Sequence, residues 1–204
     1  FELRSSGHVV GGSTVVVESE NKRLFYTGDI NLRGSRLLPS ADLDIGEMDM
    51  VITESTYSQE NQMPRKESEK GLIDFANEVM DRKGTLFIPS FSVERSQEVA
   101  SVLISSGFKH RIIMDGMALK VNEVLLKYPD YLRNPEIFKD VIDRVVAIND
   151  HKERKRALTE PCVVISPAGM LVGGNAVYYL QQLAFNDKNG IALVSYQGEG
   201  TPGK

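Results

Sequence analysis

The sequence predicts an α/β protein made of two unequal parts. Near the N-terminus, short β-type runs are joined by tight turns, whereas from about residue 64 short apolar runs alternate with segments of helical spacing. The later runs do not alternate with polar residues, which is typical of strands buried on both faces by helices. We therefore expect mixed or antiparallel β structure first, then a mainly parallel sheet flanked by helices.

The first part contains a predicted hairpin and one further strand. A run at 14–18 (TVVVE), a turn at Asn21 and Lys22, and a run at 23–27 (RLFYT) form the hairpin, and a strand at 50–53 (MVIT) leads directly into Glu54. A polar stretch, SQENQMP, follows and separates the two patterns. The predicted boundary divides the chain into residues 1–57 and 58–204.

The second part reads as a series of strands and helices. Leu72, Phe75 and Val79 lie at helical spacing, and Gly84 separates their helix from the next apolar run. The predicted elements are helices at 67–81, 96–105, 118–128 and 176–183, strands at 85–89, 111–114, 144–147, 162–166 and 191–195, and a charged helix that begins at His151.

Composition and charge exclude several classes of protein. The single cysteine, Cys162, cannot form an intramolecular disulfide or a cysteine-rich zinc cluster, and we expect it to be buried in a strand. The chain shows neither a long apolar run nor a signal peptide, which predicts a cytoplasmic protein with no membrane partner. Its net charge of −4 argues against a broad basic face for nucleic acid. The basic run at 152–156 fits a solvated helix surface better than a dedicated RNA patch.

Three polar residues stand where β-type runs end. His8 lies in a glycine-containing turn, Asp29 follows the hairpin, and Glu54 follows the next strand. Imidazole and carboxylate groups suit zinc, and a nearby carboxylate can orient a ligating histidine. Taken singly, a histidine beside glycine and an aspartate after glycine are often only turn residues. Their order and spacing make them candidates for one site.

The wording of these segments resembles a known family. GHVVGGS and YTGD resemble two metal motifs of metallo-β-lactamase-fold nucleases, and ITESTY resembles the first motif of their β-CASP branch, with Ser58 where glycine is frequent. FIPSFSVERSQE and ISPAGMLVGG resemble the IPxFAxGRAQE and SPGMxxxG segments. The chain is similar above all to cleavage and polyadenylation factor nucleases of archaea and eukaryotes.

That resemblance implies a fold and an activity. It implies part of a metallo-β-lactamase αββα domain in residues 1–57, followed by a nearly complete β-CASP domain in 58–204. The intact protein is then expected to be a zinc-dependent ribonuclease that hydrolyses phosphodiester bonds in mRNA 3′-end processing or RNA decay. It implies two zinc ions, with Asp29 as a bridging and catalytic carboxylate, His8 as a terminal ligand, and Glu54 as a catalytic residue that orients a histidine.

The resemblance also implies contacts to single-stranded RNA. Arg95, Ser166, Gly169 and Gly173 are the expected contacts to its backbone. Two local interpretations stay open beside this one. Arg95 could instead pair with neighbouring glutamates, and the glycines could serve a tight connection between strand and helix. A homodimer or other processing subunits are the expected protein partners.

The family's HxHxDH signature does not occur in this sequence. His110 and His151 fit surface positions rather than metal ligands. We therefore expect a piece of a longer protein that binds no zinc tightly and cleaves nothing by itself. The alternative is a non-catalytic β-CASP scaffold subunit of an RNA-processing complex. A nucleotide-binding domain is disfavoured because both GxGxxG and GxxxxGK[ST] are absent.

Overall fold

A computed structural model describes residues 1–59 and 61–204. Glu60, within the polar stretch predicted as the boundary, lies outside the described residues. The first part is a four-stranded mixed sheet in the order β1-β2-β3-β4, in which only the β3–β4 pair is parallel. Its strands are β1 (Glu2–Ser5), β2 (Ser13–Ser19), β3 (Lys22–Tyr26) and β4 (Met50–Ile52).

The predicted hairpin is confirmed, but its turn is shifted by one residue. Glu20 and Asn21 carry positive φ angles of 51° and 62°, whereas Lys22 already pairs with Ser19 in the sheet. Two successive positive-φ residues form the turn whose twist matches that of paired antiparallel strands. The prediction of a turn at Asn21 and Lys22 was therefore wrong by one position. β1 was not predicted.

The second part is an entirely parallel five-stranded sheet with helices on both faces, which confirms the predicted fold class. The strand order is β7-β6-β8-β5-β9. In chain order the elements are α1 (Arg65–Asp81), β5 (Leu86–Pro89), α2 (Arg95–Ser105), β6 (Ile112–Asp115), α3 (Met117–Lys127), a 3₁₀ turn (Pro129–Tyr131), α4 (Pro135–Arg144), β7 (Val146–Ile148), α5 (His151–Ala157), β8 (Val163–Ser166), α6 (Gly174–Leu183) and β9 (Gly190–Ile191).

Two predictions for this part need correction. The helix α4 was missed, although Pro135 occupies one of its first positions and Phe138 and Val141 bury its apolar side. The strand predicted at 191–195 is cut short, since only Gly190 and Ile191 pair with β5. β9 ends opposite Phe87, two residues before β5 ends at Pro89, and as an edge strand it has no second neighbour to extend the pairing.

The core explains why the strands lack polar alternation. On β5, Leu86 and Ile88 face one apolar cluster, which includes residues of α1 and α2, while Phe87 faces the other, which includes residues of α6. Helices therefore cover both faces of the sheet. Cys162 is buried as predicted, and burial raises its thiol pKa to about 11. Within the described residues, no helix has the length and apolar character needed to cross a membrane.

The long connection between β3 and β4 packs against the second part. It contains little regular structure, yet Leu37 and Leu38 are only 2% and 3% exposed. Both leucines join a cluster with Leu125, Leu132 and Phe138 of the second part. The two parts of the chain are therefore joined by an apolar contact as well as by the covalent connection.

Candidate active site and adjoining sheet edge

The structure brings His8, Asp29 and Glu54 to one end of the first sheet. His8 lies in the turn between β1 and β2, Asp29 follows β3, and Glu54 follows β4. His8 Nε2 lies 3.9 Å from Asp29 Oδ2, and their side chains are 47% and 73% exposed. Both groups are therefore accessible to an ion or substrate from solvent.

Glu54 is held beside this pair by backbone groups. Its Oε1 accepts a hydrogen bond from the Ile30 N–H at 3.2 Å, and its Oε2 accepts one from the Thr56 N–H at 3.4 Å. Hydrogen bonding by Thr56 is the largest cause that keeps the pKa of Glu54 below its ordinary value, and the N–H of Ile30 and the charge of His8 act in the same direction. Glu54 is thus an ionised group that fixes the loop after Asp29.

The histidine turn depends on glycine. Gly7 has a φ of +65°, and a Cβ atom there would lie 2.5 Å from the Ala41 nitrogen and 2.7 Å from the Asn31 oxygen. No side chain fits in that space. The glycine before His8 is therefore required by close backbone packing, which is a structural reason for the GHVVGGS wording.

His8 and Asp29 have the donor chemistry that zinc accepts. Zinc sites nevertheless take three or four protein ligands. Among residues 1–59 and 61–204, no group of three or more histidine, cysteine, aspartate or glutamate side chains is placed to hold a metal ion. The two residues fit one flank of a metal site rather than a whole one.

The other predicted histidine positions are confirmed as surface positions. His110 and His151 are both exposed, and their rings lie against Phe108 and Tyr178.

The predicted RNA contacts lie at the carboxyl end of the parallel sheet. Ser166 ends β8 and is fully buried, and its hydroxyl donates to the Pro167 carbonyl. Gly169 packs so closely that a Cβ would lie 3.0 Å from the Phe91 nitrogen, whereas nothing lies within 4 Å of one at Gly173. Gly173, directly before α6, is therefore the most open of the three.

Arg95 begins α2 at the same edge and is exposed. Its guanidinium donates to the Val194 carbonyl beyond β9. In the described part of the chain, it forms no ion pair with Glu94, which accepts from Ser35, or with Glu98, which pairs with Arg65. The alternative of an arginine–glutamate pair is therefore not formed, and the guanidinium stays exposed to solvent.

Sequence reasoning missed the role of Glu98. Its carboxylate is nearly buried and accepts backbone N–H groups of Arg36 at 2.9 Å and Leu37 at 3.0 Å, and it pairs with Arg65. It was considered only as a partner for Arg95. The final glutamate of the FSVERSQE wording was the available signal, but its partner lies some sixty residues earlier in the chain.

Glu94 was missed as well. It is buried, with a φ of 67° and a ψ of −60°, and the Arg95 N–H bonds to the Val93 carbonyl across it at 2.8 Å. This is a γ-turn of the strained, positive-φ kind. Its Oε1 accepts from the Ser35 hydroxyl at 2.8 Å, and its Oε2 has no partner among the described residues. The available signal was the glycine that the IPxFAxGRAQE motif has where this chain has Glu94, since glycine favours a positive φ.

A third missed feature is the buried carboxylate of Asp115 at the end of β6. It accepts two hydrogen bonds from Arg154, at 2.5 and 3.2 Å, one from Asn175 at 3.0 Å and one from the Tyr179 hydroxyl at 2.8 Å. Burial raises the pKa of the Tyr179 phenol, so this hydroxyl remains a donor. These hydrogen bonds connect α5 and α6 to the carboxyl end of β6. Arg154, which belongs to the basic run at 152–156, therefore has a structural role.

Comparison with known proteins identifies the family. A family model described as the Beta-Casp domain matches residues 97–204, which is more than half of the chain. The chain belongs to the β-CASP family.

Curated β-CASP relatives align with nearly the whole chain. It is 39% identical over 203 residues to RNase aCSPSF2 of Saccharolobus solfataricus, covering 99% of this chain and 41% of that protein. It is 36% identical to an RNase J-like protein of Methanocaldococcus jannaschii, over all of this chain and 50% of that protein. It is 35% identical to transcription termination factor FttA of Pyrococcus horikoshii, over 99% and 34%.

The chain thus spans between a third and a half of the length of these relatives. The assignment to β-CASP nucleases of the archaeal cleavage-factor type is confirmed. The boundary between residues 57 and 58, and the roles of the individual site residues, stay predictions.

Proposed function

We propose that the protein containing this chain is a zinc-dependent β-CASP ribonuclease that hydrolyses phosphodiester bonds in RNA 3′-end processing or RNA decay. The observation that carries the proposal is the convergence of His8, Asp29 and Glu54, which follow β1, β3 and β4 at one end of the first sheet. Relatives whose names call them RNases support it. The metallo-β-lactamase fold of the first part belongs to the same proposal.

Each residue of the strand-end group has a distinct part in this chemistry. His8 and Asp29 are the side chains that would hold zinc, because both are exposed and their Nε2 and Oδ2 atoms lie 3.9 Å apart. Zinc, when bound, supplies positive charge to the phosphate and a nucleophilic water. Glu54 accepts the Ile30 N–H, and it thereby holds the backbone next to Asp29 and orients that ligand.

The sheet edge of the second part would hold single-stranded RNA. Arg95 offers an exposed guanidinium, and Gly173 leaves the backbone before α6 open to a phosphate oxygen. Ser166 and Gly169 shape this loop from beneath, since both are packed against neighbouring backbone. A small local contact surface of this kind suits a chain with a net charge of −4. Assembly as a homodimer or with processing subunits stays a prediction.

The test uses the full-length protein and two substitutions. We expect Asp29→Ala to lower RNA cleavage at least about a hundredfold, since a metal ligand is lost, and to leave the circular dichroism spectrum unchanged. We expect Arg95→Ala to raise KM for RNA more than it lowers kcat, because it removes a backbone contact. Asp44→Ala, at another exposed aspartate, is the control and is expected to behave as wild type.

The outcome separates the enzyme from a scaffold. Cleavage by wild type that disappears with Asp29→Ala supports the nuclease. RNA binding without cleavage in the zinc-loaded wild-type protein would contradict it and favour the non-catalytic scaffold subunit.

A further inference from the structure

The turn at residues 35–38 is a short segment of the first part that is held by the second. The Ser35 N–H bonds to the Leu38 carbonyl at 2.8 Å, and the Leu38 N–H bonds to the Ser35 hydroxyl at 2.9 Å. The Arg133 N–H donates to the Leu37 carbonyl, and the Arg133 guanidinium donates to the Ser35 carbonyl. We call this segment the 35–38 turn.

Glu98 holds the 35–38 turn most directly. Its two carboxylate oxygens accept the consecutive N–H groups of Arg36 and Leu37, so the carboxylate binds the turn through both oxygens. Only 5% of Glu98 is exposed, and its charge is balanced by Arg65. Hydrogen bonds to a buried charged group are stronger than those to neutral ones, and leaving such a group unpaired is costly.

Glu94 holds the same turn from one helical turn away. Its carboxylate accepts the Ser35 hydroxyl, and its γ-turn places Arg95 at the start of α2. Arg95, the proposed RNA contact, therefore lies in sequence between Glu94 and Glu98, whose carboxylates both bind the 35–38 turn. Strained backbone of this kind persists only where the surroundings hold it in place.

The connection between β3 and β4, which contains the 35–38 turn, also contacts the turn that carries His8. The Asn31 N–H bonds to the Ser6 carbonyl, and the Ala41 N–H bonds to the Asn31 carbonyl. Gly7 packs against the same two residues. The segment that begins at Ile30, directly after Asp29, thus touches the His8 turn before and after it passes through the 35–38 turn.

These contacts connect the pair His8 and Asp29, which is proposed to bind metal, with Arg95, which is proposed to bind RNA. We propose that Glu98, supported by Glu94, is a positioning residue that sets the placement of His8 and Asp29 relative to Arg95. The inference rests on the proposed function, since it assigns the metal-side residues to hydrolysis and Arg95 to RNA. Misplacement of a substrate contact by about 1 Å can lower a rate by orders of magnitude, so such a joint bears on RNA cleavage.

The experiment compares a long and a small substrate in the zinc-loaded full-length protein. Single-stranded RNA needs both the metal-side residues and Arg95, whereas bis(4-nitrophenyl) phosphate needs only the metal-side residues. We expect Glu98→Gln to lower kcat/KM for RNA about tenfold or more, and to leave hydrolysis of the small diester within about twofold. Amide exchange at Arg36 and Leu37 is expected to rise, since their acceptor is weakened.

Control and companion variants separate positioning from loss of fold. Glu67→Gln removes the same charge from the exposed first turn of α1 and is expected to match wild type in all three measurements. Ser35→Ala removes only the hydroxyl contact to Glu94 and the bond to Leu38, and is expected to show the same selective loss of RNA cleavage at smaller size. If Glu98→Gln does not fold, the Ser35→Ala variant tests the inference in its place.

Two results would overturn the inference. One is an equal loss on both substrates in folded variants, which is the result of a purely structural role. The other is unchanged RNA cleavage in Glu98→Gln. Wild-type protein that hydrolyses neither substrate would instead refute the proposed function, and the inference with it.

Discussion

Glu94 carries a buried carboxylate, and among residues 1–59 and 61–204 its one hydrogen-bond donor is the Ser35 hydroxyl. Burial raises its pKa to about 7, with Glu98 acting in the same direction, while Ser35, Arg95 and Arg65 oppose the shift. The unfolded chain releases this proton near the ordinary glutamate value, but the folded chain keeps it until about pH 7. Stability from this group is therefore complete below the ordinary glutamate pKa, decreases as the pH rises from there to about 7, and is lost above it.

Glu94→Gln tests this pH dependence. The amide cannot ionise, so the free energy of unfolding of the variant, relative to wild type, is expected to rise by about 2 kcal/mol between pH 5 and pH 8. Urea unfolding followed by circular dichroism at both pH values measures the difference. Other titrating groups are common to both proteins and cancel. A difference that stays constant with pH would show that Glu94 is ionised throughout.

At the scale of elements, the connection between β5 and α2 combines two opposed demands. The γ-turn at Glu94 requires a backbone conformation that favours glycine, yet the carboxylate is needed to bind the 35–38 turn. Positive-φ strain of this kind costs about 1–3 kcal/mol. The side chain at this position is thus kept at the expense of backbone strain.

A pair of substitutions isolates that strain. Glu94→Gly and Glu94→Ala both remove the carboxylate, but only alanine keeps a Cβ at this φ. We expect the glycine variant to be more stable by about 1 kcal/mol, after allowance for the greater freedom of glycine in the unfolded chain. Thermal unfolding measures both. At Glu67, inside α1, the order should reverse, because glycine weakens a helix. Equal stability of the Glu94 variants would contradict the strain.

Considered as a whole molecule, the chain joins a mixed sheet that carries His8 and Asp29 to a parallel α/β unit that carries the exposed Arg95. Leu37 and Leu38 bury the joint between them, and Glu98 adds charged hydrogen bonds. In the proposed function, RNA cleavage depends on the relative placement of the two units. Neither unit alone contains both the metal-side residues and the proposed RNA contacts.

Metal content gives a prediction at the same scale. His8 and Asp29 supply two ligands, fewer than a tight zinc site needs. We expect purified residues 1–204 to contain well below one zinc per chain by atomic emission analysis, and the full-length protein to contain zinc. Stoichiometric zinc in residues 1–204 that disappears with His8→Ala would contradict this expectation.

The sequence by itself determined the parallel sheet, the hairpin and the candidate residues at the strand ends. These follow from local causes, namely apolar runs that must be covered on both faces, helical spacing, and polar residues directly after strands. The same local signals predicted that His8, Asp29 and Glu54 lie in loops next to strands, and the structure brings the three residues together.

Only the tertiary structure decided which residues hold the two units in place. Glu98 binds the backbone of Arg36 and Leu37, Arg95 binds the Val194 carbonyl, and these partners are distant in sequence. A buried carboxylate looks the same in sequence as an exposed one, since its partners are backbone groups whose direction is set by the whole fold. The proximity of His8 and Asp29 could therefore be predicted from strand ends and from the family resemblance, whereas the contacts of Glu98 with Arg36 and Leu37 could not.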